Sequence, residues 1–259
     1  MQCDLEGKVA LVTGAAGAIG SAIAERLTDN GARVIIADIN LQGAIQVADG
    51  LADAIALAVD ISQPDSVENL VLQIMREAGR LDILVNNAGI NTQAHRVNID
   101  AFPLDEWNRI VRIDLDGLYL MSRAALAPML ASGNGGRVIN IASVVGLAAM
   151  RLQSPFVAAK AGIIHLTRSM ALELGSQGVL TNAIAPGSVM TDLTRKLFYS
   201  EDGSFSSRTE EFMQHIPLNR PGTAQEIAEA ALFLASPGAG YVNGQILAVD
   251  GGWTAGYMM

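Results

Sequence analysis

The sequence predicts an α/β fold in which a doubly wound parallel sheet of seven strands carries helices on both faces. Seven short apolar runs, rich in β-branched residues, alternate with alanine-rich amphipathic stretches along all 259 residues. Runs this apolar, alternating with helical stretches, are typical of parallel strands buried on both faces. No linker, repeat or low-complexity segment divides the chain, so we expect a single domain over residues 1–259.

The strands and helices can be placed in order from these runs. The strands are expected at "KVALVT", "ARVIIAD", "AIALAVD", "LDILVN", "RVINIAS", "VLTNAIA" and "QILAVD". The helices are expected near 21–29, 41–52, 65–78, 105–131, 155–174 and 224–235. The fifth helix begins in "SPFVAAK", where Ser154 is suited to the cap and Pro155 to the first helical position.

Two long irregular segments, 90–104 and 192–220, separate these elements. In open parallel sheets, ligands bind beyond the carboxyl ends of the strands, and loops of this length can reach that edge. We therefore expect a substrate lid at about 192–220.

Composition and charge narrow the class of protein. Hydrophobic residues make up 50% of the chain and charged residues 17%, which favours a globular protein. The net charge of -9 disfavours binding to nucleic acid or to anionic membranes. Cys3 is the only cysteine, so we expect no internal disulfide and no metal site. No apolar run reaches a membrane span, and the first residues lack a secretion signal, so we expect a soluble cytoplasmic protein.

A glycine-rich turn follows the first strand, in "TGAAGAIG". Gly14, Gly17 and Gly20 allow a tight turn, close approach of a phosphate, and close packing of the next helix. The N-terminus of that helix can bind a pyrophosphate through its free N–H groups. Glycines can also serve a strand-to-helix turn for purely structural reasons, but the position after the first strand favours dinucleotide binding.

Asp38 ends the second strand and predicts the identity of the cofactor. A carboxylate there can accept hydrogen bonds from both ribose hydroxyls of NAD and would repel the additional phosphate of NADP. No basic residue stands at Ala15, Ala16 or Ile39, so NAD is favoured over NADP. The alternative is a solvated turn aspartate. Asp60, at the end of the third strand, can receive the adenine amino group or cap the next helix.

Together with "NNAG", "INIAS", "NAIAPG" and "GQILAVDGG", these motifs resemble the classical short-chain dehydrogenase/reductase family over essentially the whole chain. The resemblance implies a Rossmann-type domain and NAD(P)-dependent interconversion of an alcohol and a carbonyl compound. It also implies a dimer or tetramer assembled through paired long helices and the C-terminal strand; we expect a homotetramer.

Matching positions imply roles for individual residues. Ser143 would hold the substrate oxygen and Lys160 the nicotinamide ribose, while Pro186, Gly187 and Thr191 would flank the nicotinamide. The full expected set of cofactor-binding residues is Gly14, Gly17, Ala18, Ile19, Gly20, Asp38, Ile39, Asp60, Ile61, Asn87, Ala88, Gly89, Lys160, Pro186, Gly187, Val189 and Thr191.

Three positions depart from the family pattern. Ala18 replaces the middle glycine of the loop, which is a mild change. Asp114 stands where the family usually has the asparagine of its catalytic tetrad, and its charge would alter nearby pKa values. Phe156 stands where the family has its catalytic tyrosine, so the hydroxyl that exchanges the alcohol proton is missing. General acid–base help is worth about 10²–10⁴ in rate, so we expect the chain to be nearly inactive.

Phe156 can be explained in two main ways. The first is a dehydrogenase inactivated by replacement of its tyrosine, naturally or by design, and the persistence of Ser143 and Lys160 favours it. The second is a natural pseudoenzyme that binds NAD as a regulatory or partner subunit, which Asp114 favours. A third, weaker possibility is that Lys160 or an ordered water acts as the base.

Polar loop residues suggest the substrate. The candidates Asn91, Gln93, His95 and Arg96 lie after the fourth strand, and Arg151 and Gln153 lie before the fifth helix. Such hydrogen-bonding groups suit a polyol, sugar or sugar acid, because an apolar ligand would leave them unpaired. If Arg151 faces the pocket, a carboxylate or phosphate on the substrate is expected. The alternative is that these are solvated loop side chains.

The C-terminal "DGGWTAGYMM" ends in apolar residues. Trp253, Tyr257 and two methionines would form an exposed patch if they were free in water. We expect them to pack against another subunit, with packing inside the same chain as the alternative.

Overall fold

The computed structural model describes residues 2–92, 94–191 and 213–256. The expected lid at 192–220 falls mostly outside these ranges, as do Gln93, Tyr257 and the last two methionines. Within the described part of the chain, no helix combines the length and apolarity needed to cross a membrane.

Seven strands form one parallel sheet in the order β3-β2-β1-β4-β5-β6-β7. Every pairing is parallel, which confirms the predicted fold class. The strands are β1 Val9–Thr13, β2 Arg33–Asp38, β3 Ala54–Ala58, β4 Ile83–Asn86, β5 Gly136–Ile141, β6 Val179–Pro186 and β7 Ile246–Val249.

Helices cover both faces of the sheet and build two large cores. The helices are α1 Ala18–Thr28, α2 Leu41–Asp49, α3 Pro64–Ala78, α4 Leu104–Val111, α5 Gly117–Ser132, α6 Ser154–Leu174 and α7 Ala224–Ala235. On one face α1 and α7 pack together through side chains such as Ile23 and Leu232. On the other face α3, α5 and α6 bury side chains such as Leu70, Met121 and Met170.

One expectation about helices is incomplete and another is wrong. The helical stretch expected over 105–131 is continuous from Leu104 to Ser132, but a π-helical turn at Arg112–Asp116 divides it into α4 and α5. The backbone stays helical through a single π turn, so the sequence pattern gives little warning of it. Ser154 is the first residue of α6 rather than its cap, and Gln153 holds the cap position without a side-chain cap bond.

A buried polar chain ties the centre of the sheet to the helices. Asn86 Nδ2 donates to Ser122 Oγ and to Asn140 Oδ1, both at 2.9 Å. Asn140 Nδ2 in turn donates to Thr167 Oγ1 at 2.9 Å. Buried polar groups stabilise a fold only when they are paired, so this chain fixes β4 and β5 against α5 and α6. The carboxyl ends of these strands are thereby held in place.

Candidate functional site

The glycine-rich turn is locked against the "NNAG" turn at the carboxyl ends of β1 and β4. Gly14 has a φ of +63°, and a Cβ there would lie 2.7 Å from the Cα of Ala88. A Cβ on Gly20 would lie 2.5 Å from the carbonyl oxygen of Gly14. Asn87 Nδ2 donates to the carbonyl oxygens of Thr13 and Gly14 at 2.9 and 3.0 Å. Both glycines are therefore required by the protein's own packing.

Gly17 differs from the other two glycines. It caps α1 with a φ of -85°, and a Cβ there would contact only the carbonyl oxygen of Gly14, at 3.4 Å. No cap bond from a side chain covers the start of α1. The free N–H groups of this helix and the space above Gly17 fit the pyrophosphate of a dinucleotide.

Asp38 ends β2 at the edge of the same cleft. Its Oδ2 accepts the N–H of Ala16 at 3.0 Å, and its Oδ1 accepts the N–H of Asn40 at 2.9 Å. A carboxylate has about four acceptor sites, so each oxygen can still receive one ribose hydroxyl. Asp38 is thus a partly exposed residue that also holds the glycine turn against β2, a second role that the sequence did not reveal.

The cleft that these turns enclose has a volume of about 660 Å³. Its size and its glycine-lined floor fit a dinucleotide. Its described lining contains no lysine or arginine. The expected residues that line it are Gly14, Gly17, Ala18, Ile19, Gly20, Asp38, Ile39, Asp60, Ile61, Asn87, Ala88, Gly89 and Thr191. The sequence analysis missed Ala16, Asn40, Val59, Ile90 and Ile113, which lie next to the recognised motifs and have no signature of their own.

Asp60 lines the cleft and also orders the turn before α3. Its Oδ1 accepts bonds from the backbone N–H and the hydroxyl of Ser62 at 2.9 and 2.7 Å. The cap position of α3 is held by Gln63 rather than by Asp60, so the capping alternative is wrong in its detail. Because its side chain faces the cleft, a contact with the adenine of a bound cofactor stays a prediction.

Gly187 and Pro186 lie at the end of β6. A Cβ on Gly187 would lie 2.8 Å from the Cα of Asp250, so the glycine is needed where β6 passes β7. Val189 is buried and bridges to Gly222. Of this group only Thr191 lines the cleft; the implied nicotinamide contacts of Pro186, Gly187 and Val189 stay predictions.

A buried ion pair lies beneath Gly89. Lys160 Nζ is 3.2 Å from Asp114 Oδ2, with exposed side-chain fractions of 6% and 0%. Asp114 belongs to the π turn, and its Oδ1 accepts the N–H of Ile90 at 2.7 Å. Lys160 also donates to the carbonyl oxygen of Ile141 at 3.2 Å. Single π turns occur often at functional sites, and this one brings a carboxylate to the lysine.

Ser143 and Phe156 lie beside this pair. Ser143 follows β5, and its Oγ accepts the N–H of Val145 at 3.3 Å, which leaves its hydroxyl proton available. The ring centroid of Phe156 is 5.4 Å from Lys160 Nζ, because residues four apart share a helical face. The chain thus brings a hydroxyl, an ammonium and a phenyl ring to the carboxyl end of β5.

The expected substrate residues are only partly brought together. Asn91 Nδ2 donates to Gln153 Oε1 at 2.7 Å, and Gln153 Nε2 contacts Met150 Sδ at 2.8 Å. Arg96 and Arg151 are exposed, and neither lines the cleft. Within the described residues, buried Nδ1 of His95 has no hydrogen-bond partner. Polar side chains of these loops therefore bond partly to one another, which weakens their value as a sign of a polar substrate.

Comparisons with known proteins agree with this geometry. A family model described as enoyl-(acyl carrier protein) reductase matches residues 14–254. The 3-oxoacyl-[acyl-carrier-protein] reductase of Vibrio harveyi is 41% identical over 250 residues, covering 96% of this chain and 98% of its own. The chain belongs to the short-chain dehydrogenase/reductase family. The enzyme of the same name from Escherichia coli is 40% identical with the same coverage.

Solved structures of the family have the same fold. The short-chain type dehydrogenase/reductase from Mycobacterium marinum superposes with a TM-score of 0.89 at 32% identity, over 98% of both chains. The predicted family is confirmed, and with it an oxidoreductase that uses a nicotinamide cofactor.

The expected polyol, sugar or sugar-acid substrate is wrong. Relatives that match 96% of the chain at about 40% identity are named as 3-oxoacyl reductases. The expectation depended on loop polarity, and the bond between Asn91 and Gln153 satisfies part of that polarity without a ligand. The pseudoenzyme alternative, which Asp114 favoured, stays a prediction, since the names of relatives do not show whether this chain turns over a substrate.

Proposed function

We propose that the chain binds NAD(H) and catalyses the slow reduction of a 3-oxoacyl thioester to the 3-hydroxyacyl thioester. The cofactor proposal rests on Asp38. Its carboxylate faces a cleft whose described lining holds no basic residue, and the neighbouring Ile39 is 74% exposed. A 2′-phosphate beside this carboxylate would meet repulsion without compensation, whereas ribose hydroxyls can donate to it.

The substrate proposal comes from the relatives. Proteins named as reductases of a 3-oxoacyl group match this chain at about 40% identity along 98% of their own length. A 3-oxoacyl thioester presents a ketone to the catalytic residues and an acyl chain that can lie along apolar loop residues. The carrier of the thioester, an acyl carrier protein or coenzyme A, is to be distinguished by experiment.

Two residues of the chain have separate roles at the substrate ketone. A bound nicotinamide supplies the hydride. Ser143, whose oxygen already accepts a backbone N–H, donates its hydroxyl to the substrate oxygen. Lys160, whose side chain is buried, brings a positive charge that stabilises the developing oxyanion.

Phe156 limits the rate. We propose that it occupies the position of the family's tyrosine, since it shares a helical face with Lys160 and its ring lies 5.4 Å from Nζ. A phenyl ring cannot exchange a proton, and general acid–base help of this kind is worth about 10²–10⁴ in rate. The chain as written is therefore nearly inactive, while its cofactor cleft does not depend on the missing hydroxyl.

The test is to restore the hydroxyl. We expect Phe156→Tyr to raise kcat for NADH-dependent reduction of acetoacetyl-coenzyme A by about 10²–10⁴. The matched control is Phe233→Tyr, which adds the same hydroxyl to α7, in the core that α7 shares with α1. Acetoacetyl-acyl carrier protein is assayed in parallel to identify the carrier. The proposal fails if Phe156→Tyr leaves both thioesters unreduced while NADH still binds.

We also propose a homotetramer, as the family resemblance implies. Apolar side chains remain exposed on the long helices: Tyr119 on α5 is 50% exposed and Leu172 on α6 is 87% exposed. His165, on α6, is exposed as well. Trp253 packs against Met213 and Ile216 of the same chain, so for this residue the intramolecular alternative is favoured.

A further inference from the structure

The pair formed by Asp114 and Lys160 is arranged differently from an ordinary buried salt bridge. Asp114 Oδ2 is 3.2 Å from Lys160 Nζ, but it accepts no hydrogen bond from any described residue. Among the described residues, the ammonium donates its hydrogen bond to the carbonyl oxygen of Ile141. An ammonium carries three N–H donors, so two of them are not spent on these acceptors. Asp114 therefore contacts the ammonium as an ion pair, while the hydrogen bond of Lys160 goes to the carbonyl oxygen of Ile141.

The pair also lies next to the cofactor cleft. A Cβ on Gly89, which lines that cleft, would lie 3.2 Å from both Asp114 Oδ2 and Lys160 Nζ. The two charges therefore lie directly behind Gly89, although neither Lys160 nor Asp114 itself lines the cleft. Among the described residues, Arg109 of α4 also interacts electrostatically with Asp114, and it is bonded to Glu106 at 2.7 Å.

No phenol can replace Lys160 among the described residues. Tyr119 is half-exposed on α5, and Tyr241 is fully exposed after α7. Among the described residues, Lys160 is thus a candidate proton donor that lies on the same helical face as Phe156. Burial of an unpaired ammonium is costly, and the carboxylate of Asp114 supplies the opposite charge 3.2 Å away.

We propose that Lys160 is the proton donor of this site, and that Asp114 is the positioning residue that holds its ammonium in place. The inference rests on the proposed function. As the substrate carbon takes the hydride, the carbonyl electron pair moves to oxygen. An Nζ–H bond then breaks and an O–H bond forms, which leaves a neutral lysine that regains a proton from solvent.

Asp114 and Phe156 then form a matched combination. In the presence of a tyrosine, the family resemblance gives Lys160 the role of stabilising the phenolate. Asp114 would compete with the phenolate for the same ammonium, so its charge would be harmful there. The carboxylate helps the chain that has Phe156 and hinders the Phe156→Tyr variant, and a purely structural carboxylate would not show this reversal.

The experiment compares four chains: the protein itself, Asp114→Asn, Phe156→Tyr and the double variant. Asparagine keeps the acceptor for the N–H of Ile90 and removes the charge. We expect Asp114→Asn to lower kcat about tenfold when Phe156 is present and to raise it about threefold or more in the Phe156→Tyr background. Asp82→Asn is the matched control, because Asp82 is a buried carboxylate paired with Arg80. Its effect should have the same sign in both backgrounds.

The substrates are acetoacetyl-coenzyme A and two simple ketones, so that the inference and the proposed substrate can fail separately. If the effect of Asp114→Asn on kcat changes sign between the two backgrounds with a ketone, but the thioester is not reduced, the inference is supported and the proposed thioester substrate is wrong. If Asp114→Asn lowers kcat equally in both backgrounds, or does not lower it when Phe156 is present, the inference is overturned. Absence of all turnover, even in the Phe156→Tyr variant, overturns it too.

A binding measurement gives a readout independent of turnover. Lys160 is expected to hold the nicotinamide ribose, so Asp114 also competes with the cofactor for the ammonium. We expect Asp114→Asn to tighten NADH binding about threefold or more, measured by the fluorescence of bound NADH. Unchanged or weaker binding overturns the positioning role. Asp114→Ser, which also removes the charge, replaces Asp114→Asn if melting curves show that the latter is unfolded.

Discussion

At the scale of single residues, Asp38 has a proposed role in cofactor selection and a structural role in the glycine turn. The same carboxylate that faces the cleft accepts the N–H groups of Ala16 and Asn40. These two bonds fix the orientation of the carboxylate before a cofactor arrives, so little order has to be gained on binding. The proposed selectivity and the shape of the glycine turn therefore depend on one side chain.

Removing the charge of Asp38 should relax the proposed preference for NADH. We expect Asp38→Asn to reduce the ratio of NADPH to NADH dissociation constants by about tenfold, because repulsion of the 2′-phosphate disappears. Fluorescence titration with both cofactors measures the ratio. Asp60→Asn, the same change at the end of β3, serves as the control. An unchanged ratio in Asp38→Asn would show that another group selects the cofactor.

Residue roles were predictable where a local rule ties residue type to geometry. Gly14 and Gly20 follow from the turn, and Asp38 from its place at the end of a strand. The second bond partners of Asp38, Asp60 and Gln153 were not predictable, since they depend on which loops meet in space.

At the scale of elements, α7 begins in a capping box. The Oγ1 of Thr223 accepts the N–H of Glu226, and the Glu226 carboxylate accepts the N–H of Thr223. Arg220 donates to the same carboxylate at 2.6 Å. The hydrogen bond from Arg220, followed by that from the Thr223 backbone, lowers the pKa of Glu226 from 4.5 to about 2.

This shift predicts how the cap responds to acid. The folded pKa lies below the unfolded one, so the stabilisation is complete above about pH 4.5 and is lost as the pH falls toward about 2. We expect Glu226→Gln to lower Tm by about 2–4 °C at neutral pH, with a difference that shrinks below pH 4.5. Thermal melts across this range measure it, with Glu68→Gln on the exposed side of α3 as the control. A difference independent of pH would contradict the assignment.

The π turn between α4 and α5 shows what element prediction lacks. The sequence indicates one helix over 105–131, and both flanking helices have the expected composition. The turn at Arg112–Asp116 places Asp114 inward, against Lys160 and Ile90, through tertiary contacts that a local pattern does not contain.

At the scale of the whole molecule, the exposed apolar side chains test the proposed assembly. We expect Leu172→Glu on α6 to dissociate the oligomer, because a carboxylate would be buried at the interface formed by the long helices. Light scattering after size exclusion measures the mass. Leu72→Glu on α3 is the control, since Leu72 is also exposed, at 65%, outside that helix pair. If the unmodified protein is a monomer, the proposed homotetramer is wrong.

The seven-stranded sheet was predictable as a whole because strands buried on both faces leave continuous apolar runs. The substrate was not, since the polar residues that suggested it bond partly to each other once the loops fold. Global architecture depends on average hydrophobicity, whereas substrate choice depends on a few side chains at the cleft.

The strand order has a consequence for how the chain is made on the ribosome. With the order β3-β2-β1-β4-β5-β6-β7, each strand after β1 joins an outer edge of the sheet that already exists. No later strand has to be inserted between two that have already paired. Synthesis from the N-terminus can thus add β4 to β7 to one growing edge as they emerge, and the cofactor cleft is framed once β4 has docked.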